Sequence, residues 1–181
     1  MSTREISIIG ICTALIAVIA QISLPLPIGI PLTFQCFIIT IISMVLGFKL
    51  SILSILSYIL LGFIGLPVFA NLKFGPSALF GATGGFIIGF LPMAAIIGYA
   101  SDRVKNKIWL FIALYIGLAV NYVSGILQFS LVTHTEILKA FPIVAQPFLL
   151  KDIILCGVGV VIGINIKKIL ISSGLFTVKQ V

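Results

Sequence analysis

The sequence predicts an all-α polytopic membrane protein with six transmembrane helices in one bundle. First, 61% of the residues are hydrophobic and 8% are charged, against about 45–50% and 25% in soluble proteins. Second, no charged side chain occurs between Glu5 and Lys49. Third, proline, glycine and charged residues divide the chain into six apolar segments near the spanning length of about 20 residues. Apolar surface must therefore face lipid as well as a core.

The predicted helices follow from this division. They comprise residues 6–24, 33–48, 50–64, 77–100, 108–129 and 147–168. The second and third are short for a full span, so we expect them to tilt little or to begin below the membrane surface. The first segment continues into Pro25 without a cleavage site, which indicates a retained helix rather than a signal peptide. With so little chain left for loops, residues 1–181 are expected to form a single transmembrane domain.

The basic residues predict the orientation, because cytoplasmic loops near helix ends carry an excess of lysine and arginine. With a cytoplasmic N-terminus, eight of the 11 fall inside: Arg4, Lys49, Arg103, Lys105, Lys107, Lys167, Lys168 and Lys179. The outer three are Lys73, Lys139 and Lys151. This predicts a multi-pass protein of the cell membrane with both termini cytoplasmic. No basic face interleaved with aromatic residues argues for nucleic-acid binding.

Motifs of catalysis are absent from the sequence. It has no G-x-x-x-x-G-K-[ST] phosphate loop, H-E-x-x-H zinc helix or G-x-S-x-G nucleophile turn. Cys12, Cys36 and Cys156 fall in different predicted helices, with His134 as their one companion, so neither a metal site nor a disulfide framework is indicated. We therefore expect no enzyme and no cofactor. We find no convincing internal repeat of the kind typical of secondary transporters.

Uncharged polar side chains concentrate in the predicted outer half of the bundle, together with seven of the eight prolines. The inner half has Ser43, Ser51, Ser54 and Asn165. Any one polar residue can make an ordinary interhelical hydrogen bond, but their convergence favours a pocket. The outer set is Gln21, Thr33, Gln35, Asn71, Thr83, Asn121 and Gln128.

Asp152 is the most informative single residue, because it lies within a predicted helix that begins at Pro147. A carboxylate at the centre of a membrane helix costs about 2.5–3.5 kcal/mol, and less near an end. Donors from a ligand or a neighbouring helix would offset that penalty. The alternative is a salt bridge or an end-of-helix carboxylate that reaches the interface. Lys151 is predicted to be a poor direct partner, because adjacent residues on a helix point in different directions.

Small residues at four-residue spacing predict close helix packing. Gly81, Gly85 and Gly89 form one such stripe, Gly159 and Gly163 another, and Gly117 and Gly125 flank Asn121. Packing inside the bundle is the simplest interpretation. A face for assembly with another membrane protein is the alternative, and the first helix offers Gly10, Ala14 and Ala17 for it.

Four segments closely resemble the BioY family, the biotin-specific S components of energy-coupling factor (ECF) transporters. They are residues 29–35 (GIPLTFQ), 58–70 (YILLGFIGLPVFA), 81–90 (GATGGFIIGF) and 147–152 (PFLLKD). The resemblance implies a six-helix subunit that captures biotin from outside. It also implies delivery inward with a transmembrane T component and two cytoplasmic ATPase subunits, which hydrolyse the ATP.

The resemblance also implies roles for particular residues. Asp152 matches the family's aspartate and would accept ureido N–H bonds of biotin. Further polar contacts would come from Thr33, Gln35, Asn71, Thr83 and Asn121, and aromatic walls from Phe69, Phe86 and Tyr122.

The sequence departs from the family pattern at four positions. Lys151 stands in place of a glycine and Leu155 in place of a lysine, so Lys151 is the candidate replacement for the missing cation. Ala82 replaces a proline and Phe86 a tyrosine. Two alternatives therefore stay open: an S component for another small vitamin, and a membrane enzyme or structural protein with an incidental polar end.

Overall fold

The computed structural model describes residues 1–24 and 30–174. Pro25, Pro27, Gly29 and Lys179, which entered the sequence predictions, lie outside the described residues. Within the described part the chain is mainly helical. Its elements are α1 (Thr3–Gln21), β1 (Ser23–Leu24), β2 (Leu32–Thr33), α2 (Gln35–Phe63), a 3-10 turn (Ala70–Leu72), α3 (Pro76–Phe80), α4 (Gly84–Arg103), α5 (Lys107–Thr133), α6 (Ile137–Val144) and α7 (Gln146–Ser172).

Five of the described helices are long and apolar enough to cross a membrane: α1, α2, α4, α5 and α7. Their outer surfaces carry large aliphatic side chains, such as Ile11 at 67% exposure and Leu131 at 75%. Such surfaces are stable in lipid and not in water. The protein is therefore a multi-pass membrane protein.

Helix α2 reverses direction at Gly47. Its backbone there adopts φ 74° and ψ −169°, which is not helical. The Nε2 of Gln35 donates a 2.9 Å hydrogen bond to the hydroxyl of Tyr58, 23 residues later. In a straight helix these residues would be about 34 Å apart at 1.5 Å per residue. The two arms of α2 therefore run antiparallel, as the two predicted segments 33–48 and 50–64 require, with the break at Gly47 rather than at Lys49.

A polar cluster ties the reversal to α4 and α7. The N–H of Phe48 donates to Oδ2 of Asp102 at 2.8 Å, and the hydroxyl of Ser101 donates to the carbonyl of Met44 at 2.5 Å. Lys167 donates to the carbonyl of Ser101 at 2.9 Å and lies 3.5 Å from Oδ1 of Asp102. The first two bonds satisfy backbone groups that the break in α2 leaves free, and Lys167 holds the two α4 residues that make them.

Glycines let the helix backbones approach closely, as their spacing predicted. Helix α4 lies between α2 and α5 and packs most extensively on both. A Cβ at Gly89 would lie 2.9 Å from Nδ2 of Asn121 on α5, and one at Gly98 would lie 2.9 Å from the carbonyl carbon of Gly47. Gly163 of α7 packs on Met44 in the same way.

Three predictions of local structure were wrong. The predicted helix 77–100 is interrupted at residues 81–83, so Gly81 ends α3 and does not share a stripe with Gly85 and Gly89. Helix α6 was assigned to a loop because it is short and contains Pro142. The antiparallel pairing of Ser23 with Thr33 and of Leu24 with Leu32 was missed, because two-residue strands leave no periodic pattern.

Substitution of Gly47 by alanine tests the reversal. A Cβ there would lie 2.6 Å from Cγ of Asp102, and the φ of 74° with ψ near 180° is a region that essentially only glycine adopts. We expect Gly47→Ala to lower the free energy of unfolding by at least about 1–3 kcal/mol. The measurement is thermal unfolding of purified protein in detergent.

Gly10→Ala is the matched control, because a Cβ at Gly10 meets nothing within 4 Å. It should unfold at or above the wild-type temperature. Equal melting of Gly47→Ala and wild type would contradict the reversed backbone at this position.

Candidate functional site

A cavity lies at the end of the bundle opposite Gly47, which we term the cavity end. It encloses about 700 Å³ of free space, counting the part open at its mouth. Concave regions between the helices of a bundle are common places for small-molecule sites. The lining residues are Ile30, Pro31, Thr33, Gln35, Cys36, Phe69, Ala70, Lys73, Ala78, Thr83, Phe86, Ile87, Phe90, Asn121, Tyr122, Val144, Phe148, Lys151 and Asp152.

Asp152 lies in the second turn of α7 and is 5% exposed. The hydroxyl of Tyr122 on α5 donates to its Oδ2 at 2.7 Å. The Nζ of Lys151 lies 2.6 Å from its Oδ1. The buried charge is thus compensated by one hydrogen bond from a neighbouring helix and by one cation.

The prediction that Lys151 would be a poor partner for Asp152 was wrong. The two side chains do leave the helix in different directions, but the four methylenes of lysine let the ammonium bend back to the carboxylate. The same ammonium donates to the carbonyl of Thr33 and lies 5.7 Å from the centre of the Phe34 ring. Lys151 therefore joins α7 to the chain just before α2.

Two acceptor atoms in the cavity wall lack hydrogen bonds from any described residue. Oδ1 of Asp152 contacts the Lys151 ammonium as an ion pair but accepts no directed hydrogen bond. The amide of Asn121 donates from Nδ2 to the carbonyl of Phe86 at 2.9 Å, and its Oδ1 is unpartnered although the residue is fully buried. Buried polar atoms are nearly always satisfied, so these two are suited to N–H donors of a bound molecule.

Aromatic rings form two walls of the cavity. Phe86 meets Tyr122 edge to face with ring centres 5.9 Å apart. Phe69 meets Tyr58 in the same way at 5.4 Å, and Tyr58 accepts the hydrogen bond from Gln35. Edge-to-face pairs hold rings in fixed orientations. The cavity thus presents flat apolar surfaces beside its polar groups.

Two glutamines outside the cavity hold its wall segments in place. Gln21 donates to the carbonyls of Val68 and Phe69 and accepts from the N–H of Leu72. Gln128 donates to the carbonyls of Leu79 and Gly81 at 2.6 and 2.8 Å. For these two residues the observed role is hydrogen bonding to the backbone of neighbouring segments, and not pocket lining.

Nine of the ten residues predicted to bind a ligand line this cavity. They are Thr33, Gln35, Phe69, Thr83, Phe86, Asn121, Tyr122, Lys151 and Asp152. The exception is Asn71, which lies in a neighbouring groove and accepts a 2.8 Å hydrogen bond from Ser23. Its left-handed backbone (φ 59°) shapes the turn.

Sequence reasoning missed several lining residues. Phe148 lies one turn before Asp152 and shares its helix face, so the spacing contained that signal. Lys73 was assigned to an outer loop without a role, and Val144 belongs to the helix α6 that was not predicted. Nothing in the local sequence around these two residues points to the cavity.

The fold and the cavity define a helical membrane protein with a cavity between its helices at one end. The model of the BioY family matches residues 1–172, and the chain belongs to that family. The biotin transporter BioY of Thermotoga maritima is 37% identical over 166 residues, which cover 92% of this chain and 97% of that protein. The probable biotin transporter BioY of Pyrococcus horikoshii is 36% identical over 163 residues, or 90% and 96% of the two chains.

A solved structure has the same fold. The crystal structure of the S-component for biotin from an ECF-type ABC transporter matches with a TM-score of 0.83 over 93% of this chain and 95% of that one. The two sequences are 22% identical in this comparison. The arrangement of helices described above is therefore that of a known S-component.

Removal of the Tyr122 hydroxyl tests the compensation of Asp152. Tyr122→Phe leaves Oδ2 without its donor, and a hydrogen bond to a charged group contributes about 1.5–3 kcal/mol. We expect ligand-free Tyr122→Phe to unfold with a free energy lower by that amount, measured by thermal unfolding in detergent.

Tyr115→Phe on the same helix is the control, because Tyr115 is 42% exposed and is not among the residues that line the cavity. It should match wild type. If Tyr122→Phe unfolds at the same temperature as Tyr115→Phe and wild type, the Tyr122 hydroxyl does not stabilise Asp152.

Proposed function

We propose that this protein is the substrate-binding S component of an ECF-type ABC transporter and that its ligand is biotin. The observation that carries the proposal is the buried carboxylate of Asp152 in the cavity wall, held by Tyr122 through Oδ2 and by Lys151 through Oδ1. Membership of the BioY family and relatives named as biotin transporters support it.

The chemistry of biotin fits the groups in the cavity. Its ureido ring carries two N–H donors on opposite sides of a carbonyl, and Oδ1 of Asp152 and Oδ1 of Asn121 are two buried acceptors. The apolar ring containing sulfur suits the walls of Phe69 and Phe86. The carboxylate tail requires a cation, and Lys73 lines the cavity while remaining exposed toward the mouth.

Lys151 has a positioning role in this proposal. It pairs with Asp152 and holds the carbonyl of Thr33, so its ammonium is already engaged. Lys151 therefore fixes the aspartate and the start of α2 around the ligand. It replaces only in part the family's lysine, whose position is occupied by Leu155 here. Lys73 is then the better candidate for the tail of biotin.

Transport in this proposal needs partner chains. A transmembrane T component and two cytoplasmic ATPase subunits would deliver the ligand inward and hydrolyse the ATP, so this chain is no enzyme by itself. Gly10 and Ala14 lie exposed on α1 and Ala17 is half-buried. This small-residue face is the proposed contact with the T component.

The membrane topology follows from the reversal of α2. We propose six crossings, with the arms of α2 counted separately, in one domain of residues 1–181. The end opposite the cavity carries Lys49, Arg103, Lys105, Lys107, Lys167 and Lys168, which the charge rule places in the cytoplasm together with both termini.

A cysteine introduced at Lys105 tests this orientation. In a cysteine-free background, Lys105→Cys should react with a membrane-impermeant thiol reagent only after the cells are opened. Lys139→Cys at the cavity end is the matched control and should react in intact cells. The opposite pattern would reverse the orientation.

Biotin binding to purified protein tests the function. We expect one biotin per chain by titration calorimetry and no comparable binding of thiamine, riboflavin or lipoate. Asp152→Asn should weaken binding about 10-fold to 100-fold, because it loses a charge-assisted hydrogen bond of about 1.5–3 kcal/mol.

Glu136→Gln is the control for this substitution, since Glu136 is exposed and pairs with Lys139 on the surface. Its affinity should equal that of wild type. Tight binding of another vitamin in place of biotin would favour the alternative ligand, and unchanged affinity in Asp152→Asn would remove that residue from the site.

A further inference from the structure

A second concave region lies between α4 and α5 at the end opposite the cavity, which we term the α4–α5 groove. It holds about 910 Å³ of free space, including the part open to the surroundings. Its lining is almost wholly apolar: Phe48, Ala95, Ile96, Tyr99, Ala100, Val104, Trp109, Ile112, Ala113 and Ile116. It shares no residue with the ligand cavity.

The groove opens on the surface of the bundle that faces lipid. Tyr99, Trp109 and Ile116 are 54%, 59% and 52% exposed. Tyrosine and tryptophan are enriched where a membrane protein passes from the hydrocarbon to the headgroup region. Since Tyr99 and Trp109 lie near the ends of α4 and α5 that meet here, the groove runs from that boundary into the hydrocarbon region.

Three cations stand at the headgroup end of the groove. Arg103 and Lys105 flank the lining residue Val104, and Lys107 begins α5 two residues before Trp109. The guanidinium carbon of Arg103 lies 5.6 Å from the centre of the Tyr99 ring, so it is held against the groove wall. Within residues 1–24 and 30–174 none of the three forms a salt bridge, while Lys139, Lys151 and Lys167 do.

The groove combines an apolar channel with three cations at one end that form no salt bridge within the described residues. A phospholipid has the two matching parts, an apolar acyl chain and a charged headgroup. The channel suits an acyl chain, and the cations suit a phosphate and any further negative charge of the headgroup. We propose that the α4–α5 groove is a binding site for an anionic phospholipid of the surrounding bilayer. Basic pockets between transmembrane helices at a membrane surface commonly bind such headgroups.

The charges favour this occupant over a second copy of the chain. Two copies that met through this groove would bring two sets of Arg103, Lys105 and Lys107 together, and like charges in contact repel. A zwitterionic lipid would fill the channel equally well, but its headgroup would neutralise less of the positive charge of Arg103, Lys105 and Lys107. Anionic headgroups therefore bind preferentially.

The bound lipid would also contact the reversal of α2. Phe48 lines the groove and lies edge to face with Tyr99 at 6.3 Å, and its N–H is held by Asp102. A lipid in the groove therefore covers α4, α5 and the start of the second arm of α2 at once.

Trp109 supplies a direct probe, because it is the single tryptophan of the chain and lies in the groove. The full-length protein is reconstituted in liposomes that contain phosphatidylcholine with increasing fractions of phosphatidylglycerol. One series carries bromine on the acyl chains of phosphatidylglycerol and the other on phosphatidylcholine. Bromine quenches tryptophan fluorescence only in close contact.

We expect brominated phosphatidylglycerol to quench Trp109 more strongly than the same fraction of brominated phosphatidylcholine. The preference should correspond to a relative binding constant of roughly threefold to tenfold, because several cations near the headgroup each add attraction. High salt should reduce the preference.

Substitutions distinguish the contribution of the cations to lipid binding from that of the apolar channel. Arg103→Gln, Lys105→Gln and Lys107→Gln combined should remove the preference and leave quenching in proportion to lipid fraction. Lys168→Gln is the matched control, an exposed cation at the same end that does not line the groove. Ala113→Leu should lower quenching by both lipids, because its larger side chain fills the channel.

Three outcomes would overturn the proposal. Equal quenching by the two lipids would show that the cations select nothing. A preference that survives in the triple glutamine variant would place the anionic lipid elsewhere. Weak quenching by both lipids at every fraction would mean that protein, a second copy or a partner chain, covers the groove instead of lipid.

Discussion

The compensation of one buried carboxylate organises the functional half of this molecule. Asp152 is held by the Tyr122 hydroxyl from α5 and by Lys151 from its own helix, and Lys151 continues to the carbonyl of Thr33 before α2. Removing either partner would leave a charge in an apolar surrounding. Three of the chain segments that line the cavity are thus joined through one carboxyl group.

At the opposite end of the bundle, polar side chains satisfy backbone groups that the break in α2 leaves without helical hydrogen bonds. The reversal at Gly47 interrupts the hydrogen bonds of α2. Asp102 and Ser101 satisfy the freed groups of Phe48 and Met44, and Lys167 holds Ser101 and Asp102 in place. Because α4 and α7 supply these side chains, the reversal also sets how α2 lies against both. Polar clusters at the two ends therefore fix the arrangement of helices whose apolar surfaces, by themselves, have little directional preference in lipid.

Much of this arrangement was predictable from the sequence, and the failures have physical causes. The long apolar segments predicted the spanning helices, and the small-residue spacing predicted the contacts of Gly89 and Gly163. The isolated carboxylate at Asp152 pointed to the cavity because burial of charge in a membrane helix is costly. Helix α6 was missed because its eight residues contain Pro142.

The wrong predictions at the site concern long or polar side chains whose hydrogen-bond partners depend on how far and in which direction the side chain extends. Gln21 and Gln128 were grouped with the pocket, yet both bind backbone carbonyls of loops far along the chain. Lys151 was judged by the direction of its Cβ, while its ammonium lies four methylenes away. Asn71 bonds to Ser23 and has a left-handed backbone, which the local sequence did not predict. Such choices depend on the tertiary structure and not on the residue type.

A structure of the protein with biotin bound tests the central claim most directly. We expect a ureido nitrogen within about 2.7–2.9 Å of Oδ1 of Asp152, as in a charge-assisted hydrogen bond, with the Tyr122 bond to Oδ2 retained. Biotin bound elsewhere, or bound in the cavity with no ureido nitrogen in contact with that carboxylate, would contradict the account.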